Sequence, residues 1–112
     1  MNRVGRWVRL LIPLMLVAAA PLPDGRKIAE QGNARGAGAC SSCHGPTYQG
    51  NPVLHAPPIA GLPAAYIEAR LKHYASPEGH NVLMRQVATS LSPAEARAVA
   101  IYLAKQPKGG TP

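Results

Sequence analysis

Cys40-Ser41-Ser42-Cys43-His44 constrains this chain more than any other segment: it holds both cysteines of the sequence, three positions apart, with an imidazole directly behind the second. Four chemistries use cysteines at this spacing. A structural disulfide is open to an exported chain, but it gives His44 no role. A thioredoxin-like redox pair needs a βαβ frame, whereas the flanks here are rich in Gly, Ala and Pro and carry no β-branched run. Zinc needs about four ligands, and although Cys40, Cys43, His44 and His55 reach that number, no second Cys pair or His-x-x-x-His closes the site. Covalent haem attachment uses every residue of the motif. Two thiols presented by one helical turn add to the two vinyl groups of a haem, and the histidine that follows ligates its iron. That reading requires export and a second axial ligand.

The N-terminus reads as an export signal. Arg3, Arg6 and Arg9 form a basic start, Leu10 to Val17 an apolar stretch broken by Pro13, and Val17-Ala18-Ala19-Ala20 a run of small residues suited to a signal peptidase. The segment is shorter than the roughly 20 apolar residues of a transmembrane helix. The expected organisation is a signal peptide over 1–20, cut after Ala19 or Ala20, a haem domain over 21–106 and a flexible tail over 107–112. If the leader is not cut, it becomes an anchor, and membrane association follows only in that case. Either way the haem domain lies outside the cytoplasm, in the periplasm.

About 92 residues then remain, enough for one small domain. Four Tyr and no Phe supply little aromatic mass, so haem is expected to serve as core material and the apo-protein to fold poorly. The chain has 12 Lys and Arg against 5 Asp and Glu. Three arginines leave with the leader, so nine basic residues against five acidic ones give the mature part +4, and haem propionates lower it further. Arg70, Lys72, Arg85, Arg97, Lys105 and Lys108 remain to dock a redox partner with an acidic face. No basic stripe with interleaved aromatics suits nucleic acid.

Gly and Pro divide the domain into helices. Asp24 caps a first helix that runs to about Asn33, with Gly32 and Asn33 as its stop. Gly36, Gly38 and Gly45 flank the cysteines in a loop. Pro46, Pro52, Pro57 and Pro58 exclude regular structure up to Gly61. A second helix starts with Pro63 as its first residue and runs to about Tyr74, with Tyr66, Ile67, Arg70, Leu71 and Tyr74 at helical spacing. Ser92-Pro93-Ala94-Glu95 combines an N-cap, a proline and a capping-box glutamate, opening a last helix to about Gln106. Nothing alternates as a strand would. The fold class is all-α, with about three main helices around one covalently attached haem.

Met84 is the one methionine beyond the leader, 40 residues after His44 in a stretch read as irregular before the last helix. Its thioether is the leading candidate for the second ligand, and a His/Met pair raises the reduction potential over two nitrogens. His80 is the first competitor, and His55 and His73 follow. An open sixth position would instead make a gas-binding haem protein.

The segments Ala39-Cys40-Ser41-Ser42-Cys43-His44-Gly45, Pro57-Pro58-Ile59-Ala60-Gly61-Leu62-Pro63-Ala64-Ala65-Tyr66, Asn81-Val82-Leu83-Met84, Leu91-Ser92-Pro93-Ala94-Glu95 and Ile101-Tyr102-Leu103 together resemble a class I cytochrome c. The likeness is to the small bacterial periplasmic branch that includes cytochrome c-553 and the halves of dihaem cytochrome c4. It implies the cytochrome c fold, one haem c, His44 and Met84 as axial ligands, and the Pro57 carbonyl as the acceptor that orients His44. It also implies that Tyr102 packs against the first helix near Ile28 and Ala29. The stretch Gly45-Pro46-Thr47-Tyr48-Gln49-Gly50 lacks the usual Asp-Gly, and His55-Ala56 is an unusual approach to the prolines. The function so implied is transfer of one electron between redox proteins by a carrier that is not itself an enzyme. An alternative is a haem-bearing subunit of a larger oxidoreductase.

Overall fold

A computed structural model describes residues 12–14 and 21–109 of the chain. Most of the leader reading over 1–20, and the end of the tail at 110–112, lie outside the described residues. Helix α1 is Gly25–Gln31, α2 Cys40–His44, α3 Ala64–Ala75, α4 Val82–Thr89 and α5 Pro93–Ala104. The described residues hold no named strand, only one isolated bridge between Asn51 and Ala56. None of the described helices is long and apolar enough to cross a membrane.

The caps explain where these helices start and stop. Asp24 Oδ1 accepts the Lys27 N–H at 3.1 Å, satisfying one of the unpaired donors of the first turn of α1. The helix stops two residues before Asn33. Gly32, at φ +76°, turns the chain out, and the Asn33 N–H leaves the helix for the Ala37 carbonyl at 3.0 Å. Pro63 stands just outside α3 as its cap, because its ψ of 135° is extended. In α5 the reciprocal box is complete: Glu95 N donates to Ser92 Oγ at 3.1 Å, and Ser92 N donates to Glu95 Oε1 at 2.9 Å. This helix ends at Ala104, since Lys105 and Gln106 close tighter i→i−3 bonds to Tyr102 and Leu103.

Two elements depart from the expectations. The stretch around Met84 is helical, not irregular: Asn81 Oδ1 accepts the Met84 N–H at 3.0 Å and starts α4, placing Met84 in its first turn. The proline segment holds one short 3-10 turn, Pro52–Leu54, because the Asn51 side chain accepts from both Val53 and Leu54 N–H groups while Pro52 presets the turn.

Helices α1 and α5 cross very closely. A Cβ on Gly25 would lie 2.1 Å from the Ala98 carbonyl oxygen, so only glycine permits this approach. Around the crossing sit Ile28, Ala29, Val99, Ala100 and Leu103; Ile67 and Leu71 join from α3, Ala88 from α4, and Tyr48 and Ala60 from the proline segment. Tyr102 packs against this cluster, and its ring stands edge-on to Tyr48 at 5.9 Å. Leu103 and Val99 are the largest side chains fully buried. So thin a core offers limited burial for a domain of this size.

Candidate functional site

Helix α2 is a single turn that carries the whole motif. Cys40 and Cys43 are free thiols, Cys40 half-buried and Cys43 exposed. Burial pushes the Cys40 thiol up to about 11, which keeps it a neutral S–H. His44 closes the turn and is buried, 7% exposed. Its Nδ1 lies 2.8 Å from the Pro57 carbonyl oxygen. A carbonyl can only accept, so Nδ1 carries the proton, and the lone pair is left on Nε2. Gly45, at φ +91°, turns the chain away behind the histidine, and the Gly50 N–H returns to the His44 carbonyl at 2.8 Å.

These features fit a covalently held haem: two unpaired thiols on one turn, and a fixed imidazole with its metal-binding nitrogen free. No disulfide joins the two cysteines. Among the described residues no three His, Cys, Asp or Glu side chains gather as a metal site, so His55 does not complete a zinc set.

Met84 is half-buried and packs against the core, whereas its neighbours Val82 and Leu83 are 79% and 73% exposed. His80, His55 and His73 are all exposed. The six candidate docking cations are exposed as well. Two of them are tethered: Arg85 donates to the Ser76 carbonyl at 2.8 Å, and Arg70 donates to the Tyr74 hydroxyl with its guanidinium 4.9 Å from that ring's centroid. None belongs to the two ion pairs found among the described residues, Arg26 with Glu30 and Arg35 with Glu95.

Sequence reasoning passed over two features beside this site. Tyr48 organises the segment after the motif: its carbonyl accepts the Ile59 and Ala60 N–H groups at 2.9 and 3.1 Å, although its own φ of 61° is uncommon for a side-chain-bearing residue. It is 2% exposed, and its hydroxyl has no hydrogen-bond partner. Burial pushes this phenol above its ordinary value, with Tyr102 beside it adding to the effect. The second is a polar junction in which the Asn33 side chain reaches both the end of α4 and the start of α5. The departure from Asp-Gly after Gly45 hinted at the first. For the second, Asn33 read only as a helix stop.

Comparison with known proteins agrees with this geometry. The cytochrome c family model matches residues 24–107. A thiosulfate dehydrogenase electron acceptor from Thiomonas intermedia is 37% identical over 76 residues, which is 68% of this chain and 35% of that protein. Cytochrome c4 from Azotobacter vinelandii is 30% identical over 95 residues, 81% of this chain and 43% of that one. Among solved structures, thiosulfate dehydrogenase from Marichromatium purpuratum superposes with a TM-score of 0.73 at 32% identity, covering 79% of this chain and 19% of the other. Reduced cytochrome c4 from Pseudomonas stutzeri gives 0.67 at 30% identity, covering 74% and 46%. The chain thus spans under half the length of the curated relatives it matches. With the family model matched across all five described helices, this chain belongs to the cytochrome c family.

Proposed function

We propose that this chain is a periplasmic carrier of single electrons with one haem c, bound by Cys40 and Cys43 and ligated by His44 and Met84. The observation that carries the reading is the 2.8 Å contact between His44 Nδ1 and the Pro57 carbonyl, on the same turn as two free thiols. Bound haem supplies a one-electron iron couple. Everything else falls to the chain. Pro57 fixes the tautomer and plane of His44, so that Nε2 presents a directed lone pair. The first turn of α4, capped by Asn81, holds the Met84 thioether against the core. Two protein ligands leave no open coordination position, which favours outer-sphere transfer over gas binding. The motif occurs once in the chain, which supports a single haem.

Arg97, Lys105 and Lys108, exposed and outside the ion pairs found, together with Lys72, suit a partner with an acidic docking face. A second reading, a haem-bearing domain that takes electrons from an oxidoreductase, is favoured by the relative described as the electron acceptor of thiosulfate dehydrogenase. Isolating the native protein from periplasm and membranes tests both readings. A free holo-protein reduced in stopped flow, at a rate that falls steeply with salt, supports the carrier. Stable co-purification with a catalytic subunit supports the second reading, and a haem-free isolate contradicts both.

A further inference from the structure

The Asn33 side chain joins the lead-in to the haem motif with both the end of α4 and the start of α5. All four hydrogen-bonding positions of its amide are taken. Oδ1 accepts the Arg35 and Ala37 N–H groups at 3.1 and 2.9 Å. Nδ2 donates to the Ser90 carbonyl at 2.8 Å and to Glu95 Oε2 at 3.1 Å. The orientation is unambiguous, because backbone N–H groups only donate and the Ser90 carbonyl only accepts. Arg35 pairs with the other oxygen of Glu95, whose side chain is only 16% exposed.

These contacts bridge two parts of the chain that meet nowhere in sequence. Residues 33–37 lead into α2, which carries Cys40, Cys43 and His44. Ser90 caps the C-terminal end of α4, which carries Met84 in its first turn. Six residues of helix separate Met84 from Ser90, about 9 Å along the axis. The other end of α4 is tied separately, through Arg85 to the Ser76 carbonyl. Released at Ser90, α4 would rotate about that second tie, one residue from Met84, which turns the Met84 thioether rather than carrying it away.

We infer that Asn33 is a positioning residue for Met84, a clamp that sets the orientation of the methionine-bearing helix against the histidine-bearing turn. The inference rests on the proposed His44/Met84 ligation. It assigns the family's two ligand-bearing elements in this chain to a single amide, with Glu95 and Arg35 as its support.

Asn33→Asp separates the two halves of the clamp. The carboxylate still accepts from Arg35 and Ala37, so the local turn survives, but it cannot donate to Ser90 and it faces Glu95 with like charge. The ferric holo-protein is titrated with imidazole, which competes with Met84 for iron, while the weak near-red ferric band reports the sulfur bond. The expected result for Asn33→Asp is about tenfold tighter imidazole binding and a weaker band, since the competitor binds better as the methionine-on state is depopulated. Asp24→Ala, which removes the α1 cap far from the clamp, is the stability control and should bind imidazole within about twofold of wild type. Unchanged imidazole affinity in Asn33→Asp, or an equal rise in both variants, overturns the inference. If Asn33→Asp fails to take up haem, hydrogen exchange in the wild-type protein decides. Saturating imidazole should speed exchange of the Asn33 Nδ2 amide protons, which make the contacts to Ser90 and Glu95, by about fivefold or more, by reciprocity of coupling, and an unchanged rate refutes the clamp. A wild-type ferric protein with no near-red band refutes the Met84 ligation and the clamp together, whereas a band that Asn33→Asp leaves intact refutes the clamp alone.

Discussion

Replacing Gly25 by alanine sets two effects of opposite sign against each other. Gly25 is the first residue of α1, so alanine lowers the entropy of the unfolded chain and favours the native state by about 0.4–1 kcal/mol. Against this, the new Cβ would lie 2.1 Å from the Ala98 carbonyl oxygen and 2.5 Å from its carbon, where ordinary contact begins at 3.4 Å. The obstacle is backbone on both sides, so no rotamer change relieves it. The crossing must open by about 1.3 Å, and it does so beside Ile28, Ala29, Val99 and Ala100, which form much of a small core. Overpacking of a well-packed core costs about 1–3 kcal/mol, and this clash belongs at the upper end. The steric effect wins, for a net loss of about 2 kcal/mol. For a domain of this size that lowers the melting temperature by about 8–16 °C. Gly38→Ala is the internal control, because a Cβ there meets nothing within 4 Å. Thermal unfolding of the holo-protein followed by far-UV circular dichroism checks both. A Gly25→Ala protein within about 2 °C of wild type would refute the close crossing as the structural constraint.

Tyr48→Phe removes a buried hydroxyl with no partner and leaves the edge-on contact with Tyr102 in place. Urea unfolding should show a gain of about 0.5–1.5 kcal/mol, and a loss of that size would mean the hydroxyl is bonded. Glu95 is held at about 2, first by the Ser92 N–H and next by Arg35. A lowered carboxyl contributes stability in full above its ordinary value, 4.5 here, and loses it as pH falls toward 2. Wild type should therefore exceed Glu95→Gln in stability near neutral pH, and the gap should narrow in urea titrations between pH about 4.5 and about 2; a constant gap would contradict the assignment. Because the core is thin, the haem-free chain should lack a native-like near-UV circular dichroism spectrum, and a spectrum matching the holo-protein would show that the polypeptide folds without its cofactor.

Local rules made α1, α3 and α5 legible, since Asp24, Pro63 and the Ser92/Glu95 box act within four residues of the helix they start. The turn Cys40–His44 was legible as a motif for the same reason, since it is written in five consecutive residues. Helix α4 was missed although Asn81 is a good cap and Met84, Val87, Ala88 and Leu91 stand at helical spacing, because the exposed apolar pair Val82 and Leu83 blurs that face in the sequence. The long-range contacts were beyond reading. Nothing near Gly25 announces Ala98, 73 residues later, and the partners of Asn33 lie 57 and 62 positions away. Tyr48 was passed over because its burial comes from Tyr102 and the proline segment, which meet it only in the folded chain.

Ligation by both His44 and Met84 of one haem held by Cys40 and Cys43 is read in the optical spectra of the pure ferric and ferrous holo-protein beside those of Met84→Ala. We expect a low-spin wild-type protein with a weak near-red ferric band and no carbon monoxide binding to the ferrous form. Met84→Ala should lose the band and bind carbon monoxide readily. A wild-type protein that binds carbon monoxide, or a near-red band that survives in Met84→Ala, would contradict that ligation.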